Sequence, residues 1–338
     1  TLVDALVHTA SHSNHGITFV SNSATDFERY SELLHASRRL LAGLRARGLR
    51  AGDVAALQLV DPRTHLRAVW ACALGGFPSV TVAVAPRLVA SNAVAAKLLA
   101  ALAQLDGRHV LCSDELEAPL RALLPAGVAV HTASAVAAAA SAADADPRLL
   151  DAAACAPGAT MLYQLTSGST GVPKAIAETH GAIVAHIRQS AQCCGYGADD
   201  TTLNWLPFDH VVPMVTYHLA DVYLGRSSVQ LPTAEVIADP LLWLRTMARF
   251  RVSHSWAPNF GFKLVAAALR EAGAPPPPDL SCVCALMNAG EQVTADVCDA
   301  FLRLAGLPPR VMQPAFGMAE TCTCITYCND YDAGALLR

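Results

Sequence analysis

The run Leu165-Thr166-Ser167-Gly168-Ser169-Thr170-Gly171-Val172-Pro173-Lys174 concentrates hydroxyls and glycines and ends on a lysine. The chain has only three lysines (Lys97, Lys174, Lys263) among 24 basic residues, so lysine at this point suggests a need for a compact ammonium and not a guanidinium fork. The apolar runs on either side, 160–165 and 175–179, read as short buried strands. A Gly/Ser/Thr loop between two such strands can turn backbone N–H groups and hydroxyls onto one spot, which is how a chain cradles phosphate. Most Ser/Gly turns are solvated connectors, and the loop alone would not separate the two readings. It is not a Walker A element, because Lys174 follows Pro173 and precedes Ala175, with no Ser or Thr after it.

Three further polar clusters follow predicted strands: Trp205-Leu206-Pro207-Phe208-Asp209-His210, Asn288-Ala289-Gly290-Glu291 and Pro314-Ala315-Phe316-Gly317-Met318-Ala319-Glu320-Thr321. Polar groups at the carboxyl ends of neighbouring parallel strands converge on one cleft. Taken singly, Glu320 reads equally as a surface or helix-capping carboxylate and His210 as a structural histidine.

The elements that must position these residues alternate. Helices are expected over 26–47 (apolar stripe Phe27, Leu33, Leu34, Leu40, Leu41, Leu44), 62–74, 91–105, 180–193, 211–224, 240–250, 259–272 and 294–304. Strands are expected over 53–60, 79–83, 109–112, 201–205, 228–231, 252–256, 281–287 and 310–313. This pattern predicts an α/β chain with two packed parallel-sheet subdomains covered by helices. The first would span 1–132, an Ala-rich linker or weak helix 133–156, and the second, with the phosphate loop and the site, 157–338.

At 338 residues and 53% hydrophobic the chain can bury a large core. A net charge of −4 gives no basic field for nucleic acid or an anionic membrane, and no apolar run reaches membrane-spanning length. No leader pattern opens the chain, and the eleven cysteines lack zinc-site spacing, so free thiols in a reducing cytoplasm are expected.

In order and spacing the clusters resemble the adenylate-forming superfamily of acyl-CoA synthetases, luciferases, peptide-synthetase adenylation domains and fatty acyl-AMP ligases. The 165–174 run is similar to its phosphate loop, with Ala175 where the family usually has glycine. Ala257-Pro258-Asn259-Phe260-Gly261-Phe262 and the 314–321 run are similar to stretches of the fatty acyl-AMP ligase branch. The resemblance covers nearly all of the chain and implies the N-terminal part of that fold, with the family's β-barrel and C-terminal subdomain, which carries a catalytic lysine, missing from this sequence.

It also implies roles. Thr166, Ser167, Gly168, Ser169, Thr170, Gly171 and Lys174 would hold the phosphates of ATP. Phe316 would stack on adenine, with Asn288, Ala289, Gly290 and Glu291 on the other face and Gly317, Met318 and Thr321 beside it. Glu320 would hold Mg2+, and His210 would lie beside the reacting carboxylate. Asp209, Pro258, Asn259, Phe260 and Ala315 would border the acyl pocket, with His254 and Lys263 as further candidates, although Lys263 also reads as a helix-surface lysine. Asp209 is either a loop anchor or a sign of a polar substrate. The implied reaction makes an acyl-adenylate from a carboxylic acid, for loading onto a carrier-protein phosphopantetheine thiol in polyketide or nonribosomal peptide synthesis. An acyl-CoA synthetase, an amino-acid-activating domain and a non-catalytic nucleotide-binding fragment remain alternatives.

Overall fold

The computed structural model describes residues 1–332 except 22, 86, 141–154, 167–172 and 272–274. The strands are β1 (Gly16–Val20), β2 (Thr25–Arg29), β3 (Ala55–Gln58), β4 (Ser79–Thr81), β5 (His109–Cys112), β6 (Ala129–Thr132) and β7 (Thr160–Thr166). They continue with β8 (Lys174–Thr179), β9 (Thr201–Asn204), β10 (Ser227–Gln230), β11 (His254–Ala257), β12 (Ala285–Asn288), β13 (Met312–Gly317) and β14 (Cys324–Tyr327).

Two compact units divide the chain. The first comprises Thr1–Asn14, Arg29–His186 and Phe208–Val211. It holds a six-stranded sheet in the order β6-β5-β3-β4-β7-β8, parallel except for the antiparallel β7–β8 pair. Ala56, Val80, Val110, Cys112 and Val130 face one way, onto Leu98, Ala101 and Leu102 of helix Ala93–Gln104 and onto Leu120. Helix Pro62–Gly75 packs on β3, β4 and β7 and also against helix Tyr30–Ala46. It starts where the sequence predicts: Asp61 caps Thr64 N–H at 2.8 Å, and Pro62 sits in the first turn.

The second unit comprises His15–Glu28, Ile187–Pro207 and the described residues from Val212 onward. Its eight-stranded sheet runs β14-β13-β12-β11-β9-β10-β1-β2. One face buries Leu203, Val229, Leu286 and Met312 against Trp243, Phe262 and Phe301. Those three rings meet edge-on or stacked, with centroids 5.0–6.3 Å apart. The alternating residues turn the other way: Trp256, Met287 and Ala315 join Val212 and Tyr217 in a smaller cluster.

Strand–helix alternation therefore holds in both units, with several differences. The sequence reading opens the second subdomain at 157, but Ser79 and Val80 of β4 register with Leu162 and Tyr163, so β7 and β8 extend the first sheet. Conversely, β1 pairs with β10 and takes residues 15–28 to the second unit. Of the 133–156 stretch, Ala133–Ala139 is helical, and 141–154 lie outside the described residues. The helix expected over 26–47 begins only at Tyr30, because the Glu32 carboxylate accepts from Arg29 N–H at 2.7 Å and fixes the helix start there. Asp26 to Arg29 are strand, and Phe27 is 49% exposed. The expected 211–224 helix is π-wound over Val212–Leu219 before an α-helical Ala220–Leu224. All eleven cysteines are free thiols. Among the described residues no helix is long and apolar enough to cross a membrane.

Three histidines of the first unit are held neutral. Burial pushes the pKa of His65, His131 and His180 down to about 4. The unfolded chain therefore binds more protons as pH falls from 6.5 toward 4, and stability is lost across that window. His65 is buried, with Nε2 3.2 Å from Thr81 Oγ1. We expect chemical denaturation at pH 7 and pH 5 to show a stability loss about 2 kcal/mol smaller in His65→Gln than in the parent. An identical loss in both proteins would contradict this account of acid sensitivity.

Candidate functional site

The first unit carries a hairpin between β7 and β8. β7 and β8 pair antiparallel from Thr160↔Thr179 to Thr166↔Lys174, so the last residue of β7 faces the first of β8 and the loop between them closes on a fixed base. Lys174 is exposed at that base. Ser167, Gly168, Ser169, Thr170 and Gly171 lie outside the described residues. With its backbone held by the ladder, a lysine at a strand start keeps its ammonium exposed.

The second unit contributes a cleft of about 460 Å3, a size that suits a small-molecule site. Glu291, Gln292 and Val293 line one side, and Pro314, Ala315 and Phe316 line another. Both sides follow from register. Asn288 pairs with Ala257 on β11 and Pro314 on β13, so three parallel strands reach the same level and their following segments leave from one edge. On β13 Ala315 turns inward at 9% exposure and Phe316 outward at 60%. No ring contact holds Phe316 among the described residues, so its face is available for stacking. Asn288 and Ala289 are buried, and Gly290 adopts φ +90°, which permits the sharp exit toward Glu291. The Glu291 carboxylate accepts from Phe260 N–H at the start of helix Asn259–Arg270. Pro258 is the N-cap residue of that helix, and Phe260 meets the Trp205 ring edge-on at 6.1 Å.

After β13 the chain turns back through Ala319–Thr321 into the antiparallel β14. Thr321 Oγ1 donates within this turn, lying 2.9 Å from both Met318 O and Thr323 O. Gly317 has no room for a side chain: a Cβ there would lie 2.0 Å from Thr323 O. The tight return leaves Met318 and Glu320 exposed. Glu320 has no hydrogen-bonded or ionic partner among the described residues. No group of three His, Cys, Asp or Glu side chains that could hold a metal occurs among the described residues. A lone exposed carboxylate suits magnesium, which takes one or two protein carboxylates and fills its shell with water and substrate phosphates.

The 205–210 segment is fixed by a residue the sequence reading passed over. Asn204, the last residue of β9, donates from Nδ2 to Leu206 O (2.9 Å) and Gln230 Oε1 (3.0 Å). Its Oδ1 accepts from Leu206 N–H (3.2 Å) and Trp256 Nε1–H (3.0 Å). The signal available was an amide side chain at the end of a short strand, next to a tryptophan. From Phe208 to Val211 the chain belongs to the first unit, where Phe208 stacks on His65, with centroids 5.8 Å apart and planes 8° apart. His210 is exposed there and Asp209 half-buried. Desolvation lowers the His210 pKa, Asp209 pulls it up and Lys97 pushes it down, leaving the imidazole below its ordinary value and neutral at pH 7. Of the remaining candidates, His254 lies 3.0 Å from Asp200 through Nε2, and Lys263 is exposed on its helix, the surface reading of that lysine.

A family model for AMP-binding enzymes matches residues 10–336, and the chain belongs to that family. It is 29% identical over 97% of its length to an atromentin synthetase of Paxillus involutus, of which it covers 35%. It is 36% identical over 52% of its length to an aspulvinone E synthetase of Aspergillus terreus, of which it covers 20%. Among solved structures, McyG A-PCP complexed with phenylalanyl-adenylate superposes with a TM-score of 0.93 at 31% identity, over 99% of this chain and 53% of that one. The adenylation domain of a keto acid-selecting NRPS module bound to keto acyl adenylate gives 0.90 at 31%, over 99% and 62%. A fatty acyl-adenylate ligase structure, from work on the E. coli and L. pneumophila enzymes, gives 0.88 at 25%, over 97% and 59%. The chain thus spans 20% and 35% of these two synthetases and between half and two thirds of these structures.

The clash at Gly317 gives a direct test. Gly317→Ala must displace β14 or the 318–323 turn, and overpacking of this kind costs about 1–3 kcal/mol. We expect that loss in equilibrium denaturation, with greater protease sensitivity at the turn; a neutral substitution would show that the turn is not tightly seated.

Proposed function

We propose that this chain forms the nucleotide- and acid-binding part of an enzyme that activates a carboxylic acid as an acyl-adenylate and then loads it onto a carrier-protein phosphopantetheine thiol. The observation that carries the reading is the cleft between the 288–293 turn and Phe316, set at the carboxyl edge of parallel strands in a member of the AMP-binding family. Adenine would enter that cleft against the open face of Phe316.

In the reaction a carboxylate oxygen of the acid attacks the α-phosphorus of ATP. A new P–O bond forms, the bond to the bridging oxygen of the β-phosphate breaks, and pyrophosphate leaves with that electron pair. The nucleophile is already anionic, so no general base is needed. The barrier lies in bringing two anions together and in the charge that builds on the phosphates. Thr166, Ser167, Ser169, Thr170 and the amides of Gly168 and Gly171 would donate to the β- and γ-phosphates, with Lys174 as a point charge. Neutral His210 would orient the acid carboxylate without competing for the phosphates. Glu320 would hold magnesium, which when bound screens the phosphate charge.

Within this class the chain is assigned to carrier-loading acyl-AMP ligases of polyketide or nonribosomal peptide assembly, and not to coenzyme A ligases. The 257–262 and 314–321 stretches and the adenylation-domain likenesses support the assignment. A cytoplasmic location belongs to the same proposal and agrees with eleven free thiols.

Removing one electrostatic contact to the reacting phosphates costs on the order of 10²–10³ in rate. Lys174→Ala and Glu320→Ala in the full-length protein should each lower carboxylate-dependent pyrophosphate exchange by at least that factor; unchanged exchange in both sinks the assignment. With a labelled acid, the thioester should accumulate on carrier protein and not on coenzyme A.

A further inference from the structure

Two consecutive residues of the 259–270 helix hold the whole turn that forms one side of the cleft. Asn259 Oδ1 accepts from Asn288 Nδ2 (3.2 Å), at the start of the turn, and from Thr294 N–H (3.3 Å), at its end. Asn259 Nδ2 donates to Thr294 Oγ1 (3.2 Å). Phe260 N–H bonds Glu291 between these two points. Asn288 is fully buried, and its Nδ2 also donates to Cys298 Sγ at 3.4 Å on the next helix. One side chain therefore closes the loop from 288 to 294 at both ends, while the residues between them, Glu291 to Val293, face the cleft.

We infer that Asn259 is a positioning residue for the nucleotide: it sets the spacing between the 291–293 side of the cleft and Phe316. The inference rests on the reading of this cleft as the adenine site. Aliphatic contact could not substitute for it, because the turn is tied through a buried amide and a backbone N–H that need an acceptor at one fixed point. The predicted signature is selective. Loosening one side weakens binding of the base but leaves the reacting phosphates and carboxylate where their own residues hold them, so KM for ATP rises while kcat changes little. An aspartate at 259 would retain both acceptor bonds and could accept from the Thr294 hydroxyl, and its charge is favourable in the first turn of a helix.

The test is pyrophosphate exchange in the full-length protein, with KM for ATP, KM for the acid and kcat measured separately. Asn259→Leu should raise KM for ATP about tenfold or more, with kcat within threefold, while Asn259→Asp should restore KM for ATP to within threefold of the parent. If Asn259→Leu does not fold, Thr294→Val takes its place and should raise KM for ATP by about threefold. Phe316→Ala serves as the control for the cleft itself. A rise with Phe316→Ala but not with the clasp variants overturns the positioning role and leaves the cleft assignment standing. No rise with Phe316→Ala overturns the cleft assignment and the clasp with it. Equal loss of kcat and of both KM terms in Asn259→Leu, with no rescue by aspartate, would mark a merely structural residue.

Discussion

The register that sets Ala257, Asn288 and Pro314 at one level across three parallel strands is the constraint on which the candidate site depends. Parallel strands end where their helices must begin, and each exit from the sheet needs its own solution. Pro258 leads β11 directly into a helix, Gly290 turns the chain after β12 with a positive φ, and Gly317 lets β13 reverse into β14. A slip of one residue would turn Phe316 inward and Ala315 outward, since side chains alternate along a strand. The exposed aromatic face and the inward alanine are thus two consequences of one pairing.

Polar side chains reinforce that register where the backbone ladder stops. Asn204 ends β9 and Asn288 ends β12, and both are buried amides. Asn204 ties its own exit to Gln230 and Trp256; Asn288 ties its exit to Asn259 and Cys298. Buried amides that lack partners are costly, and the loop conformations seen here give Asn204 partners on both amide atoms and Asn288 partners on its Nδ2. The aromatic cluster of Trp243, Phe262 and Phe301 lies beneath the same sheet and gives it a rigid floor. The flexible chemistry of turns is therefore mounted on close-packed elements.

The first unit follows the same logic with other residues. β8 runs antiparallel to β7, so Lys174 starts a strand and not the helix that follows a Walker element. Phe208 seats the segment bearing Asp209 and His210 on His65, an imidazole kept neutral by burial. A charged ring at that position would have to be desolvated, which links the placement of His210 to a residue outside every motif.

The sequence by itself determined the alternation of strands and helices and the four polar clusters. Those features are written in local periodicity and in short strings such as Pro314 to Thr321, where residue type and spacing carry the information. The helix start at Pro62 was legible for the same reason, while the Asp61 cap was seen only in the structure. Only the tertiary structure decided which strands share a sheet. β7 and β8 joined the first unit and β1 the second through hydrogen bonds between segments far apart in the chain, which no local pattern encodes. Tertiary structure also changed the reading of single residues. Asn259, His254 and Glu291 found partners at Asn288, Asp200 and Phe260, because a polar side chain at the end of an element is claimed by whichever group the fold places within hydrogen-bonding reach.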